Sequence, residues 1–261
     1  MKELIKKIQK EIGATADGII GPKTISRLAA KLNVSIGVSD KQTIKNIQAT
    51  VGTVADGIIG NKTLNAILTK LTGKVDDMSE TDLLIEKYIK KPVEYSKVNY
   101  TSNPVKQSVL RKGNTSFGKA GCEHLLVSVP VPANYPLKYG DTRVKSIRVH
   151  KLAADRLAAA LQDIINHYGE DIEKVAPGAC QYDGAYNFRA TRNGTSQSVH
   201  SWGLAIDFDA AHNALKTPWN KARFSQPIYK PFVDILEHHG WLSLGRRDGR
   251  DSMHFQMTLW S

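Results

Sequence analysis

The chain has 261 residues, of which 41% are hydrophobic and 23% charged, a balance that excludes a fibrous or low-complexity protein and fits a globular one. A formal net charge of +11 favours a polyanionic partner, either nucleic acid or an anionic cell surface. The sequence contains no long run of Lys or Arg and no nucleic-acid-binding motif, so we expect no nucleic-acid partner.

The two cysteines and the distribution of apolar residues indicate the redox state and the membrane relation that we expect. Cys122 and Cys180 form no Cys-x-x-Cys pair, which favours free thiols over a disulfide framework. Cys122 and His124 could supply half of a metal site, but no second Cys/His pair at ligand spacing accompanies them. No stretch approaches the ~20 apolar residues of a membrane span, and the first residues lack the apolar core of a signal peptide. We expect neither membrane insertion nor a signal peptide.

An internal repeat occupies the beginning of the chain. The hexapeptide Ala-Asp-Gly-Ile-Ile-Gly at residues 16–21 returns at residues 55–60, and an Ile-Gln pair precedes each copy at the same distance. Apolar residues at helical spacing, an Asp-Gly turn and a second apolar stripe predict helix, loop and helix in each copy. Because fewer than ~40 residues seldom bury an adequate core, we predict one helical unit over residues 1–72.

The rest of the chain has a different pattern of polar and apolar residues. Residues 73–80 are polar and break the periodicity, which predicts a linker. Residues 81–261 mix helical and strand patterns and predict an α+β domain. Its expected helices are residues 81–91, His150–Tyr168 and Ile228–His239, and its expected strands are Leu125–Val129 and Ser252–Leu259.

A candidate metal site lies in the last quarter of the chain. His200, Asp207 and His254 are three ligand types that suit a catalytic zinc with a fourth position left open. Residues seven apart stand about 10 Å apart on a helix and farther on a strand, so the chain must turn between His200 and Asp207. Gly203 permits that turn. Asp251 precedes His254 by three residues, where its carboxylate can serve as general base beside the metal. We predict one Zn²⁺ per chain.

Both regions resemble known families. The repeat pattern Ile-Gln … Asp-Gly-Ile-Ile-Gly-x-Lys-Thr resembles the peptidoglycan-binding repeat of cell-wall hydrolases, against the alternative of a helical repeat with an unrelated partner. The pattern Ser-x-His-x-x-Gly-x-Ala-x-Asp, followed by Asp-x-x-His, resembles the zinc peptidases of the D-alanyl-D-alanine carboxypeptidase type. That family includes the L-alanyl-D-glutamate endopeptidases of phage endolysins. The resemblance covers residues 115–261.

The resemblance also implies roles for individual residues. It assigns zinc to His200, Asp207 and His254 and the general base to Asp251. Arg189 would stabilise the oxyanion of the scissile carbonyl, with a plain salt bridge as the alternative role and Arg192 as the nearby competitor. Two further residues, Ser198 and Trp202, are candidates for substrate binding. The remaining histidines are expected at the surface, at helix ends or in loops: His124, His150, His167, His212, His238 and His239.

The resulting hypothesis is a bacteriolytic hydrolase. We expect a monomeric phage endolysin-type metallopeptidase that degrades the bacterial cell wall by cutting a stem-peptide bond of peptidoglycan, namely L-Ala–D-Glu. It would collect in the host bacterial cytoplasm and act on the wall after release. The alternatives are a bacterial D-Ala-D-Ala carboxypeptidase and a wall-binding protein without activity.

Overall fold

The structure, a computed structural model, describes residues 1–73, 80–100, 102–192 and 194–259. The chain divides into two compact units, Met1–Ser79 and Glu80–Ser261. The first is helical and the second is α+β. Of the linker predicted at residues 73–80, all but the two end residues lie outside the described residues.

The N-terminal unit is built from two helix pairs that share one core. Each repeat contributes a pair, and α1 packs against α4 while α2 packs against α3. Fully buried side chains of both copies, such as Leu28 and Ile67, belong to the same hydrophobic cluster. The two copies therefore fold as one body. The helices are α1 Lys2–Glu11, α2 Pro22–Lys31, α3 Asp40–Thr50 and α4 Asn61–Thr72.

A buried glutamine explains the repeated hexapeptide. Gln9 donates its side-chain amide to Asp17 Oδ1 at 2.7 Å and to the Ile19 carbonyl at 2.9 Å, and accepts the Gly18 amide at 2.8 Å. Gln48 makes the same three bonds in the second copy, at 2.8, 3.0 and 2.8 Å. Because a buried amide is costly without partners, this glutamine fixes the conformation of the Asp-Gly loop.

Within the described residues, the C-terminal unit consists of short strands and seven α-helices, of which α7 is the longest. Its helices are α5 Glu80–Lys90, α6 Gln107–Leu110, α7 Ala154–Tyr168, α8 Ile172–Val175, α9 Ala210–Asn213, α10 Lys230–His238 and α11 Leu244–Asp248. Its strands are β1 Val105–Lys106, β2 Leu126–Pro130, β3 Lys138–Tyr139, β4 Thr142–Arg143, β5 Ser146–His150, β6 Tyr182–Gly184, β7 Ala205–Phe208, β8 Leu242–Ser243, β9 His254–Gln256 and β10 Thr258–Leu259. The core lies between these strands and the buried faces of α7 and α10.

A four-stranded antiparallel sheet forms the framework of the candidate site. Its strand order is β6-β7-β9-β8. Strands β2 and β5 form a separate antiparallel pair, as do β3 and β4, and β1 pairs in parallel with β10. The strand predicted at Ser252–Leu259 is divided at Met257, whose amide donates to the Leu204 carbonyl at 2.8 Å. The chain therefore leaves one sheet and enters the next within six residues.

Three of the histidines expected at the surface or at helix ends are buried. His150 does cap the 3-10 turn Lys151–Ala153, where its ring accepts the Leu152 amide at 3.1 Å, and His239 does follow α10, but none of the three lies at the surface, which corrects that part of the prediction. His150, His167 and His239 are at most 3% exposed. Burial lowers the pKa of His150 and of His167 to about 4, so both rings are neutral at pH 7. His239 contacts Asp163 Oδ2 at 2.8 Å and also meets the Tyr100 hydroxyl. The burial of these histidines was not predicted because histidine is a polar residue type. Each ring packs against the core from the end of a helix or strand.

Both cysteines are free, as predicted, and burial raises the pKa of the Cys180 thiol to about 12. Within the described residues, no helix is long and apolar enough to cross a bilayer.

Candidate metal centre

Three side chains from separate elements converge in the C-terminal unit. Asp207 lies on β7 and His254 on β9, and they are direct partners across the antiparallel pair. Directly opposed residues have neighbouring Cβ atoms on one face of a sheet, so the register alone brings this carboxylate and this imidazole together. His200 lies in the 3-10 turn Val199–Trp202 that precedes β7.

A left-handed residue returns the chain from this turn to the sheet. Gly203 adopts φ 66° and ψ 30°, and its amide donates to the His200 carbonyl at 2.9 Å. A Cβ atom there would stand 2.8 Å from the backbone nitrogen of His150 and 2.8 Å from Leu126 Cδ2. Conformation and close packing both require glycine at this position. The turn predicted from the spacing of His200 and Asp207 is present.

The distances among the converging atoms suit a single metal ion. His200 Nε2 lies 3.2 Å from His254 Nδ1 and 3.3 Å from Asp207 Oδ2, and His254 Nδ1 lies 3.0 Å from Asp207 Oδ1. Tetrahedral zinc with bonds of about 2.0–2.1 Å separates its ligand atoms by roughly 3.3 Å. Among the described residues, this is the one group of at least three His, Cys, Asp or Glu side chains that could share an ion.

Each histidine is oriented by its other ring nitrogen. His200 Nδ1 bonds to the Ala185 carbonyl, which leaves Nε2 to face Asp207. His254 Nε2 lies 3.1 Å from Gln256 Oε1, and the Gln256 amide donates to the Thr258 carbonyl at 3.2 Å. Partners of this kind fix the ring and the tautomer of a metal-binding histidine. Gln256 was missed in the sequence, although residues two apart on a strand share a face.

The electrostatics of the group favour a charged carboxylate. Burial opposes ionisation of Asp207, but hydrogen bonds from His200 and His254 outweigh it and hold its pKa well below the usual range. The same contact with Asp207 raises the pKa of His254 against the opposite effect of burial. Two imidazoles and one carboxylate thus present lone pairs to a common point, the donor set of a cation site.

Asp251 lines the same cavity without joining the three converging atoms. It adopts φ 57°, and its Oδ1 is buried with no hydrogen-bond partner among the described residues. Burial and the charge of Asp207 raise the pKa of Asp251, while His254 opposes the shift. A carboxyl with an unengaged oxygen and a raised pKa is suited to accept and return a proton.

The other predicted residues divide between two cavities. Arg189, Arg192 and Ser198 line the cavity of the three converging side chains. Arg189 is half-buried rather than buried, and its guanidinium donates to the Ala190 carbonyl at 3.3 Å. Trp202 lies outside that cavity: it is 4% exposed, its indole N–H donates to the Gly118 carbonyl at 3.0 Å, and it lines a neighbouring concavity. A direct contact of Trp202 with the reacting bond is therefore not supported.

Two residues far upstream in the chain also line the cavity and were missed. Gln107 begins α6, and Arg111 directly follows that helix. Both precede His200 by about ninety residues, and neither belongs to a repeated or spaced motif. No signal in the sequence joined them to the site, because their placement depends on the tertiary fold.

One comparison with known proteins matches the segment that carries the three converging side chains. A family described as D-alanyl-D-alanine carboxypeptidase matches residues 191–257, the segment that contains His200, Asp207, Asp251 and His254. This match supports a peptidase that acts on peptidoglycan in general. No curated protein and no solved structure matches the chain.

Gly203→Ala tests the turn that brings His200 to the sheet. We expect it to destabilise the protein by more than the ~1–2 kcal/mol of a left-handed alanine, because the new Cβ also meets the His150 backbone. Gly140→Ala is the matched control, since Gly140 has φ 57° and no atom lies within 4 Å of the place that its Cβ would take. Denaturant unfolding and bound zinc would be measured for both. Equal losses of stability would contradict the steric argument.

Gln256→Leu tests the orientation of His254. Removing the acceptor leaves His254 Nε2–H unpaired, and we expect metal affinity to fall by about 10–100-fold. Gln256→Glu retains an oxygen acceptor and should keep most of the affinity. Competition with a chelator would give the zinc dissociation constants. Equal loss of affinity in both variants would contradict this role, because Gln256→Glu keeps the shape and the acceptor and removes only the amide that donates to the Thr258 carbonyl.

Proposed function

We propose that this protein is a zinc-dependent peptidase that hydrolyses a stem-peptide bond of bacterial peptidoglycan, with L-Ala–D-Glu as the favoured bond. The convergence of His200, Asp207 and His254 on one point carries the proposal. Bound zinc would polarise the scissile carbonyl and lower the pKa of the attacking water. The match of residues 191–257 to a peptidoglycan peptidase family supplies the substrate class.

The protein's own residues would handle the proton and the developing charge. Asp251 takes a proton from the attacking water and returns it to the leaving amine, a use that fits its raised pKa and its unengaged oxygen. Arg189 lines the cavity with a guanidinium that can face the carbonyl oxygen as it becomes negative. Arg192 lines the same cavity and is the competing candidate for that role. Ser198, 6% exposed, forms part of the wall that would hold the peptide.

Asp251→Asn and His200→Ala separate the base from the ligands. Asp251→Asn keeps the size of the side chain and removes its basic oxygen, so it should bind zinc and lose turnover by about 10²–10⁴-fold. His200→Ala should lose zinc and turnover together, because two ligands hold zinc poorly. Zinc stoichiometry and muropeptide hydrolysis would be measured side by side.

Asp183→Asn is the matched control for the base. Burial also raises the pKa of Asp183, but this residue lies outside the cavity of the metal centre. It should retain zinc and activity. If the Asp251→Asn protein loses its zinc, Asp251 is a ligand and the base lies elsewhere. If the Asp251→Asn protein keeps full turnover, Asp251 has no catalytic role.

The second candidate is a D-Ala-D-Ala carboxypeptidase, which the description of the matching family favours. Both reactions use the same metal and the same proton carrier, so the centre itself does not distinguish them. Mass spectrometry of digested peptidoglycan separates the two, because the carboxypeptidase releases free D-alanine and the endopeptidase releases the stem peptide from L-alanine. If the endopeptidase reaction is the correct one, we propose that the protein is of the phage endolysin type.

The N-terminal unit is proposed to bind peptidoglycan and to raise the local concentration of substrate. Its motif residues Gln9 and Asp17 hold the loop, while the neighbouring Ile19 and its counterpart Ile58 stand 64% and 69% exposed. A polypeptide of residues 1–73 has its own core and should sediment with purified peptidoglycan, whereas residues 80–261 should sediment less. Binding that vanishes at about 0.5 M salt would indicate charge attraction alone and contradict specific recognition.

A further inference from the structure

A second concavity adjoins the cavity of the metal centre, and Arg111 lines both. We call it the basic groove, defined by the residues Arg111, Lys112, Gly113, Lys119, Ala120, Ser196, Gln197 and Trp202. Its sides come from residues 111–120 and from the segment that precedes Ser198. A peptide bound at the metal centre can therefore continue past Arg111 into the groove without leaving the protein surface.

Among the residues that the structure describes, the charged side chains of the basic groove have no partner. Arg111, Lys112 and Lys119 are exposed, and none of them forms a salt bridge or side-chain hydrogen bond within the described residues. Other basic residues of the same unit are paired, as Arg246 is with Glu237 at 2.7 Å and Arg223 with Asp209 at 3.1 Å. Three cations gathered in one concavity without an anion create a positive potential that attracts one.

Both sides of the groove are attached to the turn that carries His200. The Gly121 amide donates to the Ser201 carbonyl at 2.8 Å, and the Trp202 indole donates to Gly118 on the same side. On the other side, Ser201 Oγ accepts the Arg189 amide at 3.0 Å and lies 3.2 Å from Gln197 Oε1. Two residues that directly follow His200 thus fix the groove relative to the metal ligands. Such preorganisation reduces the entropy lost when a ligand is ordered.

We propose that the basic groove recognises carboxylate groups of the peptide substrate, with Arg111 binding the first carboxylate beyond the scissile bond. This inference rests on the proposed function. In both candidate reactions, the residue on the amine side of the cut bond carries a free α-carboxylate. A guanidinium presents two parallel N–H groups that match a carboxylate, and Arg111 is the groove residue that also lines the cavity of the three converging side chains. In the endopeptidase reaction, where the peptide continues beyond that residue, Lys112 and Lys119 then meet anionic groups farther along it.

The test compares two synthetic stem peptides that differ in one group. The residue on the amine side of the cut bond carries its α-carboxyl either free or as the carboxamide. We expect the zinc-loaded wild-type protein to prefer the carboxylate peptide by about 10–100-fold in kcat/KM, the range of a hydrogen-bonded charge pair. Arg111→Met should bring that ratio to within about threefold of one, because only the carboxylate peptide loses a partner. Arg111→Lys should give an intermediate ratio.

Lys119→Met and Lys145→Met form a matched pair of controls. Lys145 is exposed in the same unit and lines neither cavity, so its variant should leave the ratio unchanged. Lys119→Met should weaken longer anionic peptides only. An unchanged ratio in Arg111→Met, or an equal loss on both peptides, overturns the inference. Loss of binding to an anionic wall polymer without a change in the ratio would assign the groove to that polymer instead, which also overturns it.

Failure of the proposed function gives a different result. If the wild-type protein cleaves neither peptide, the peptidase proposal fails, and the groove loses its proposed occupant with it. If it cleaves both peptides at the same rate, the peptidase proposal survives and only the assignment of Arg111 is wrong.

Discussion

A charged carboxylate held between two imidazole rings, with its side chain 15% exposed, is the constraint on which the C-terminal unit depends. Asp207 is held in its charged form by His200 and His254, although burial alone would favour the neutral form. Buried charge is tolerated only where partners are placed correctly, and here the β7–β9 register and the turn at Gly203 place them. A cation at the same point would satisfy all three groups, so the arrangement that costs stability without an ion is also the one suited to hold an ion.

The turn Val199–Trp202 connects this centre to the rest of the cleft. His200 supplies a ligand atom, Ser201 bonds to the segment that carries Arg189, and Trp202 bonds to Gly118 across the groove. Three consecutive residues therefore hold the metal centre and both sides of the basic groove in one arrangement. A displacement of this turn would move ligand and substrate walls together, which explains why a glycine with no room for a Cβ ends it.

The sequence predicted which three side chains converge but not the residues around them, for a physical reason. His200, Asp207, Asp251 and His254 lie within one segment whose spacing demands a turn, and that turn is present at Gly203. The main helices α7 and α10 also fall within the predicted ranges, because their apolar stripes are periodic. Arg111 and Gln107 could not be found, since only the fold brings them to the cavity. The helix-end positions of His150 and His239 were predicted, but the burial of His150, His167 and His239 was not, because a polar residue type gives no sign of a packed position.

The two units use short motifs in opposite ways. In the repeat, the identical residues have a structural role. Gln9 and Gln48 hydrogen-bond to the loop that carries the hexapeptide, and no ligand is needed to explain why these residues are the same in both copies. In the C-terminal unit, one of the spaced residues keeps a buried atom without a hydrogen-bond partner, Asp251 Oδ1, which a substrate or its attacking water could engage. Unsatisfied polar atoms in a buried cavity oppose folding, so their presence indicates a site more strongly than repetition does. By this criterion the candidate chemistry belongs to the segment 191–257, and the substrate selection that we propose would fall to Arg111 outside it.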